Sequence, residues 1–246
     1  MSVTTVKPRQ DLGVASLVTP PPYGYLLFGA TVAPPKGPPI IRPDDTRKKV
    51  LARVAELLGA VGQLDTVVRA TGYRAVVIPP GRSPDWNRDL EPPRFDVTVL
   101  VETGSPGFLS EISSAPSVSE LRTVLGDSAS RLHEVHARCV KAIADFDKPA
   151  TGTYLFNYWA AEDPATALEV FDHLAPWFQT KTGLRNSTVL QSIGGGDFAF
   201  VNHARWNESP VAVTARQLLR PSFYRFVRPT LAANHIQVYP ALYRRV

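Results

Sequence analysis

The chain has a single cysteine in 246 residues. Cys139 cannot form an internal disulfide, and it leaves no CxxC pair or thiolate cluster for a metal. Such usage suits a reducing compartment. No apolar run approaches the ~18 residues of a membrane-spanning helix. The opening stretch, MSVTTVKPRQDLGVASLVTP, lacks the charged start and apolar centre of a secretory signal. A soluble, cytoplasmic protein without a membrane partner is therefore expected. Three phosphate- and nucleophile-bearing patterns are also missing: GxGxxG after a strand, GxxxxGK[ST], and GxSxG. Their absence excludes the dinucleotide fingerprint, the phosphate loop and the nucleophile elbow. Acidic residues stop at Glu208, whereas Arg216, Arg220, Arg225, Arg228, Arg244 and Arg245 follow. The formal charge of +5 comes with no Lys/Arg-rich run and no aromatic–basic RNA motif. A solvated basic face that could attract a small anion is expected, and no nucleic-acid partner.

What is present is enough apolar residue, 44%, to build a core without staples. The length fits one large domain or two small ones. Residues 1–22 read as an N-terminal arm ending in three prolines. Residues 23–147 then read strand (Tyr23–Val32), Pro-rich crossing (33–43), helix, strand (Val67–Ile78, interrupted near Gly72), strand (Phe95–Thr103), loop (104–117) and helix. The helix after Asp44 or Asp45 shows its stripe at Val50, Val54, Leu57, Leu58 and Val61. Leu132–Phe146 can be read as continued helix or as a strand. Residues 151–246 are clearer. Thr153–Ala161 is a strand, and Asp163 caps a helix with Pro164 at its first position and Gly183 at its end. Two strands, Asn186–Ile193 and Asp197–Trp206, flank a turn at Gly194–Gly196. A helical stretch broken by Pro221 and Pro229 precedes the last strand, Ile236–Tyr243.

The order in 151–246 is β-α-β-β-α-β, that of ferredoxin-like units. Residues 23–147 repeat it if Glu134–Phe146 is a strand. The expected fold class is α+β: two ferredoxin-like repeats in one chain, closing face to face into a pseudo-symmetric α+β barrel.

His133-Glu134-Val135-His136 is not HExxH and has no third ligand nearby, so no metal is expected. The informative segment is Asn202-His203-Ala204-Arg205-Trp206. Period two puts Phe198, Phe200, Asn202, Ala204 and Trp206 on one sheet face and His203 and Arg205 on the other. A carboxamide among apolar residues must find a partner. That partner is either a neighbouring backbone group or a ligand oxygen. Asn157 repeats the situation beside Trp159 on the first strand of this half. Tyr239 on the last strand, and Tyr224 and Arg225 on the broken helical stretch, complete the candidate set.

An Asn and a Trp four residues apart on one strand resemble a pair used by quinone-forming antibiotic-biosynthesis monooxygenases, small proteins of the dimeric α+β barrel superfamily. Asn202 and Trp206 match that pair, and Asn157 matches a first-strand Asn used by some members. Arg225 lies near the offset of a family arginine. The resemblance covers 151–246. It implies a polyketide-oxidising oxygenase with a pocket between sheet and helices. Asn157, Asn202, Trp206 and Arg225 would be catalytic, with Trp159, Phe198, Phe200, Tyr224 and Tyr239 binding substrate. In the first half, Val99 and Thr103 fall at the Asn and Trp positions, so that half is expected to be structural. The two-copy length is also similar to angucyclinone ring-opening oxygenases, some of which use reduced flavin. The resemblance thus implies a planar aromatic polyketide-like substrate and O2, with no cofactor or with reduced flavin (FMN or FAD). A flavin reductase is then an implied partner. One chain can close the barrel alone, and exposed sheet edges could still pair copies into a homo-oligomer. Two other readings stand beside it. One is a haem protein of the chlorite-dismutase type, using His173, His203 or His235. The other is a non-catalytic module that binds an aromatic ligand.

Overall fold

The computed structural model describes residues 3, 4, 6, 11–144 and 151–246. Parts of the expected arm, and the expected boundary at 147, lie outside them. The described chain runs β1 (Leu17–Val18), β2 (Gly24–Thr31), α1 (Asp45–Val61), β3 (Val67–Val77), β4 (Val97–Thr103), α2 (Leu109–Ser114), α3 (Pro116–Ser128) and β5 (Arg131–Ile143). It continues with β6 (Thr153–Ala161), α4 (Pro164–Thr182), β7 (Asn186–Ser192), β8 (Phe200–Trp206), α5 (Pro210–Leu218), a π-helical segment (Phe223–Val227), α6 (Arg228–Ala233) and β9 (Ile236–Arg245).

Every strand pairing is antiparallel. The order is β5-β2-β4-β3-β9-β6-β8-β7, and β7 pairs back onto β5. Eight strands therefore close a barrel, and no edge is left within the ring. β1 adds to β5 beside the ring, with Leu17 opposite Ile143. Strands from the first half run β5-β2-β4-β3 and those from the second β9-β6-β8-β7. The halves meet at two seams, β3–β9 and β5–β7.

Both faces of this sheet are buried, which explains why β2 (GYLLFGAT) is buried at every position rather than at alternate ones. Inward residues from both halves fill the barrel: Tyr25, Tyr73, Phe95, Tyr154, Phe156, Tyr158, Phe198, Tyr239 and Tyr243 belong to one cluster. Outward residues meet two separate helix layers. In the first half Leu26, Phe28, Val97, Val99 and Val101 pack on Val50, Val54, Leu57, Leu121 and Leu125. In the second half Trp159, Phe200, Ala204 and Trp206 pack on Phe171, Leu174, Trp177 and Phe226.

The caps follow from sequence. Asp44 accepts from the Arg47 N–H at 2.8 Å. Asp163 accepts from the Ala165 and Thr166 N–H groups, and Gly183 ends α4 at φ +76°. Asp96, fully buried, accepts from the Val32 and Ala33 N–H groups at 2.7 and 2.9 Å and from Arg47 Nη1 at 3.1 Å. This pins the exit of β2, the first turn of α1 and the entry to β4 to one point.

Of the two readings of Leu132–Phe146, the described part, through Ile143, takes the strand. A bulge between Cys139 and Lys141 resets its alternation, so that Cys139 and Ala142 both face inward. Three local expectations change. β3 runs unbroken through Gly72, which pairs with Val99. A Cβ there would come within 2.8 Å of Val246 Cγ2 and 3.0 Å of Leu58 Cδ1, so the glycine admits α1 and the chain end rather than breaking the strand. The expected loop 104–117 contains α2, held by burial of Leu109 and Ile112. The regular part of β8 begins at Phe200, not Asp197. The chain bends over 197–199, the alternation slips, and Phe198 faces the barrel interior while Phe200 faces the helices.

Candidate functional site

The candidate site is the helix-facing side of β6 and β8. The two strands pair in register, so Asn157 stands directly opposite Asn202, Trp159 opposite Phe200, and Thr153 opposite Trp206. Asn202 is buried and its Oδ1 accepts from the Ser187 hydroxyl on β7. Asn157 Oδ1 and Trp159 Nε1 are buried without a hydrogen-bond partner among the described residues. The Trp159 ring stacks on Phe200 at 4.9 Å. Trp206 Nε1 donates to Thr182 Oγ1 at 3.4 Å, and Thr182 in turn donates to the Phe178 carbonyl at 2.7 Å. One amide and one indole are thus satisfied within the protein, while an amide oxygen and an indole N–H beside them are not. A buried polar atom left unpaired costs about 1–3 kcal/mol, and two such atoms stand on this face.

The structure gathers Asn157, Trp159, Phe200, Asn202 and Trp206 on this face and separates the other candidates from it. Phe198 packs edge-on to His133, Tyr158 and Tyr239 inside the barrel at 5.5, 5.1 and 6.2 Å. Tyr239 donates to the Arg82 carbonyl at 3.0 Å. Tyr224 and Arg225 lie on the outer side of the π-helical segment, whose buried residues are Phe226 and Val227. Arg228 sits 5.8 Å over the Tyr224 ring. The chain breaks at 219–220, ahead of Pro221, and stays helical through Pro229, with Tyr224 and Arg225 on its exposed side.

Sequence reasoning missed Ser187 and Thr182. Ser187 sits in the polar run Asn186-Ser187-Thr188, where alternation gives no contrast. Thr182 is the last residue of α4 and looks like an ordinary helix end.

Three histidines bear on the haem reading. His203 is fully buried in the barrel, stacked on Phe156 at 4.3 Å, with Nδ1 3.2 Å from the Leu155 carbonyl and Nε2 3.5 Å from the Tyr73 hydroxyl. His173 Nε2 is 3.2 Å from the Val6 carbonyl of the arm. His235 is exposed. His203 lies inside the barrel and His235 is exposed, so neither opens on the space between sheet and helices as an axial haem ligand would. His133 and His136 alternate on β5. His133 faces the barrel, stacked on Phe95 at 5.6 Å. Its pKa is lowered by burial and by Arg131. Burial also pushes the Tyr158 and Tyr243 hydroxyls well above the ordinary tyrosine range.

No family model matches the chain, and no curated protein matches it. Solved structures do. An anthrone oxidase-like protein superposes with a TM-score of 0.65 at 12% identity, covering 91% of each chain. A provisionally assigned monooxygenase from Fusobacterium nucleatum gives 0.54 at 9%, covering 91% of this chain and 92% of that one. A haem-bound DypB variant from Rhodococcus jostii gives 0.53 at 10%, covering 92% and 94%. At these identities the likeness concerns the fold: an α+β barrel shared with proteins named as oxidases, monooxygenases and haem binders. No helix among the described residues is long and apolar enough to cross a membrane.

Proposed function

We propose that this protein is an oxygenase that oxidises, or oxidatively opens, a ring of a planar phenolic substrate of the aromatic polyketide class. The observation that carries the reading is the pair of unpaired buried groups, Asn157 Oδ1 and Trp159 Nε1, beside Asn202 and under aromatic walls. The likeness to proteins named as an anthrone oxidase-like protein and a monooxygenase supports it at the level of fold. The fold reading that accompanies it is a duplicated ferredoxin-like unit, with residues 23–147 structural and 151–246 carrying the chemistry. Register supports this. Four residues from the Gly24–Thr103 pair stand Phe28 and Val99, and four residues from the Thr153–Trp206 pair stand Asn157 and Asn202. Equivalent positions are thus apolar in one half and amide in the other.

In the cofactor-free form, the phenolate of the bound substrate gives electrons to O2 and its ring carbon forms a bond to oxygen. Collapse of the resulting peroxide converts a ring CH2 to C=O and releases the second oxygen atom as water, so no outside reductant is needed. The Trp159 indole N–H would donate to the anionic oxygens as charge develops, which is where a fixed donor contributes most, and Asn157 Oδ1 would accept from a substrate hydroxyl. For ring opening the overall change needs two further electrons, which reduced flavin would supply. In this reading the protein is cytoplasmic and acts on a small molecule.

The test is oxygen uptake by purified protein with anthrone-type and angucyclinone-type phenols, with and without reduced FMN. Turnover that falls at least tenfold in Asn157→Leu supports the reading. Turnover equal to wild type in Asn157→Leu and Trp159→Phe overturns it. Tight binding of these phenols with no oxygen uptake under either condition assigns a binding module instead.

A further inference from the structure

A second site lies at the far end of β8. There a cleft of about 340 Å3 is lined by Gly183, Arg185, Asn186, Arg205, Trp206 and Glu208, among others. Its wall holds a buried cation. Arg205 is 8% exposed, and its Nε and Nη2 donate to one acceptor, the Thr151 carbonyl, at 3.0 and 2.8 Å. No carboxylate pairs with it among the described residues. A guanidinium has five N–H donors, so most of its donor capacity, and all of its charge, is unmatched by a counter-ion. A buried charge in that position is costly unless an anion meets it.

The backbone is built around this side chain. Gly152 adopts φ +131°, and a Cβ there would stand 2.8 Å from Arg205 Nε and 2.7 Å from the Trp206 carbonyl. The surroundings add to the positive field. Arg185 is exposed at the rim, and the one acid of the lining, Glu208, is paired with Arg216. A second unmatched group lies beside it: Asn186 pairs with Arg205 across β7 and β8, and its Oδ1 is a buried acceptor with no donor among the described residues.

We infer that this cleft binds a carboxylate bearing a neighbouring hydroxyl, for which a hydroxybenzoate serves as the probe. The carboxylate meets Arg205 with Arg185 at the rim, and the hydroxyl donates to Asn186 Oδ1, which stands opposite Arg205 across the strand pair. An Arg fork suits a carboxylate better than a point charge does. The inference stands on the cleft alone and does not depend on oxygen chemistry at the Asn157–Asn202 face.

The experiment is isothermal titration of the full chain with salicylate, benzoate and phenol at pH 7, without turnover. Salicylate is expected to bind, with benzoate about tenfold weaker for want of the hydroxyl, and phenol, uncharged at this pH, weakest of the three. Arg205→Gln is expected to lose at least tenfold in affinity, and Arg205→Lys to recover only part of it. Should the Arg205 variants fail to fold, Arg185→Gln carries the test, with a loss of a few-fold and a flatter salt dependence. No salicylate binding in the millimolar range overturns the inference. So does an affinity unchanged in the folded Arg variants, or equal binding of salicylate and phenol. None of these outcomes bears on oxygen uptake, which is scored separately.

Discussion

Replacing Asn157 by leucine should make this protein more stable, and replacing the asparagine opposite it should make it less so. The two residues face each other across β6 and β8, and leucine matches asparagine in branching and heavy-atom number. Asn202 Oδ1 accepts from the Ser187 hydroxyl, so Asn202→Leu strands that hydroxyl in an apolar layer at a cost of about 1–3 kcal/mol. Asn157 Oδ1 has no such partner, so Asn157→Leu removes an unmatched carbonyl and adds apolar contact with Trp159 and Leu155. Because Asn157 as a whole is only half-buried, the lower part of the range applies, roughly 1–2 kcal/mol. For a chain of this size each kcal/mol moves Tm by about 2–4 °C. Asn157→Leu should therefore melt roughly 2–8 °C higher, and Asn202→Leu lower by a similar amount. Differential scanning calorimetry of the three proteins reads both signs. A fall in Tm for Asn157→Leu would refute the argument, since it would mean that the Asn157 amide is bonded in the folded protein. A rise in Tm together with lost oxygen uptake would show stability given up for function at that position.

Other outcomes follow from the same structure. Asp96→Ala should cost about 3–5 kcal/mol, because it leaves Arg47 buried without its partner and frees two N–H groups at once; urea denaturation reads it. Gly29→Ala should also destabilise, since a Cβ would lie 2.5 Å from the Phe95 ring in the barrel interior, and a thermal melt will show it. His133 holds a depressed pKa through burial and Arg131. The unfolded chain therefore binds the proton more readily, and stability should fall as pH drops below the unfolded value of about 6.5. In His133→Phe that part of the acid slope should be gone in melts taken from pH 7.5 to 5. Glu134 shows the carboxylate case. Partial burial raises its pKa, but Arg122 and His136 pull it below the ordinary range. Its contribution is present above the unfolded pKa and lost as pH falls through the folded one, so Glu134→Gln should flatten the profile at still lower pH.

The parts legible in the sequence were those governed by near neighbours. Asp163, Pro164 and Gly183 mark α4 because caps act within one turn. Thr153–Ala161 and Ile236–Tyr243 announce strands through their aromatic and branched residues. What was not legible depended on distant partners or on single-residue slips. The bulge between Cys139 and Lys141, which reverses the inward set of β5, has no composition signal. The slip before Phe200 moved Phe198 from the amide face to the barrel interior. Arg225 joined the candidate set through its offset from Asn202, and it stands on the exposed side of the π-helical segment. Gly72 read as a break because a glycine in a strand resembles one, whereas here it makes room for Leu58 and Val246. Ser187, which determines whether Asn202 is satisfied, meets it only through strand pairing. The closure of the ring rests on β3 finding β9, more than 160 positions away in sequence.

That late seam has a consequence for how the chain is made. β3 and β4 leave the ribosome early, yet the outer side of β3 has no mate until β9 has been synthesised, and β5 waits similarly for β7. For much of translation the nascent first half exposes a long, β-branched strand flank and an inner surface of Tyr25, Tyr73 and Leu100 with nothing to cover them. A strand flank of that kind invites pairing with another nascent copy. Production of this protein should thus depend on chaperone supply and growth temperature more than its finished, edge-free barrel would suggest.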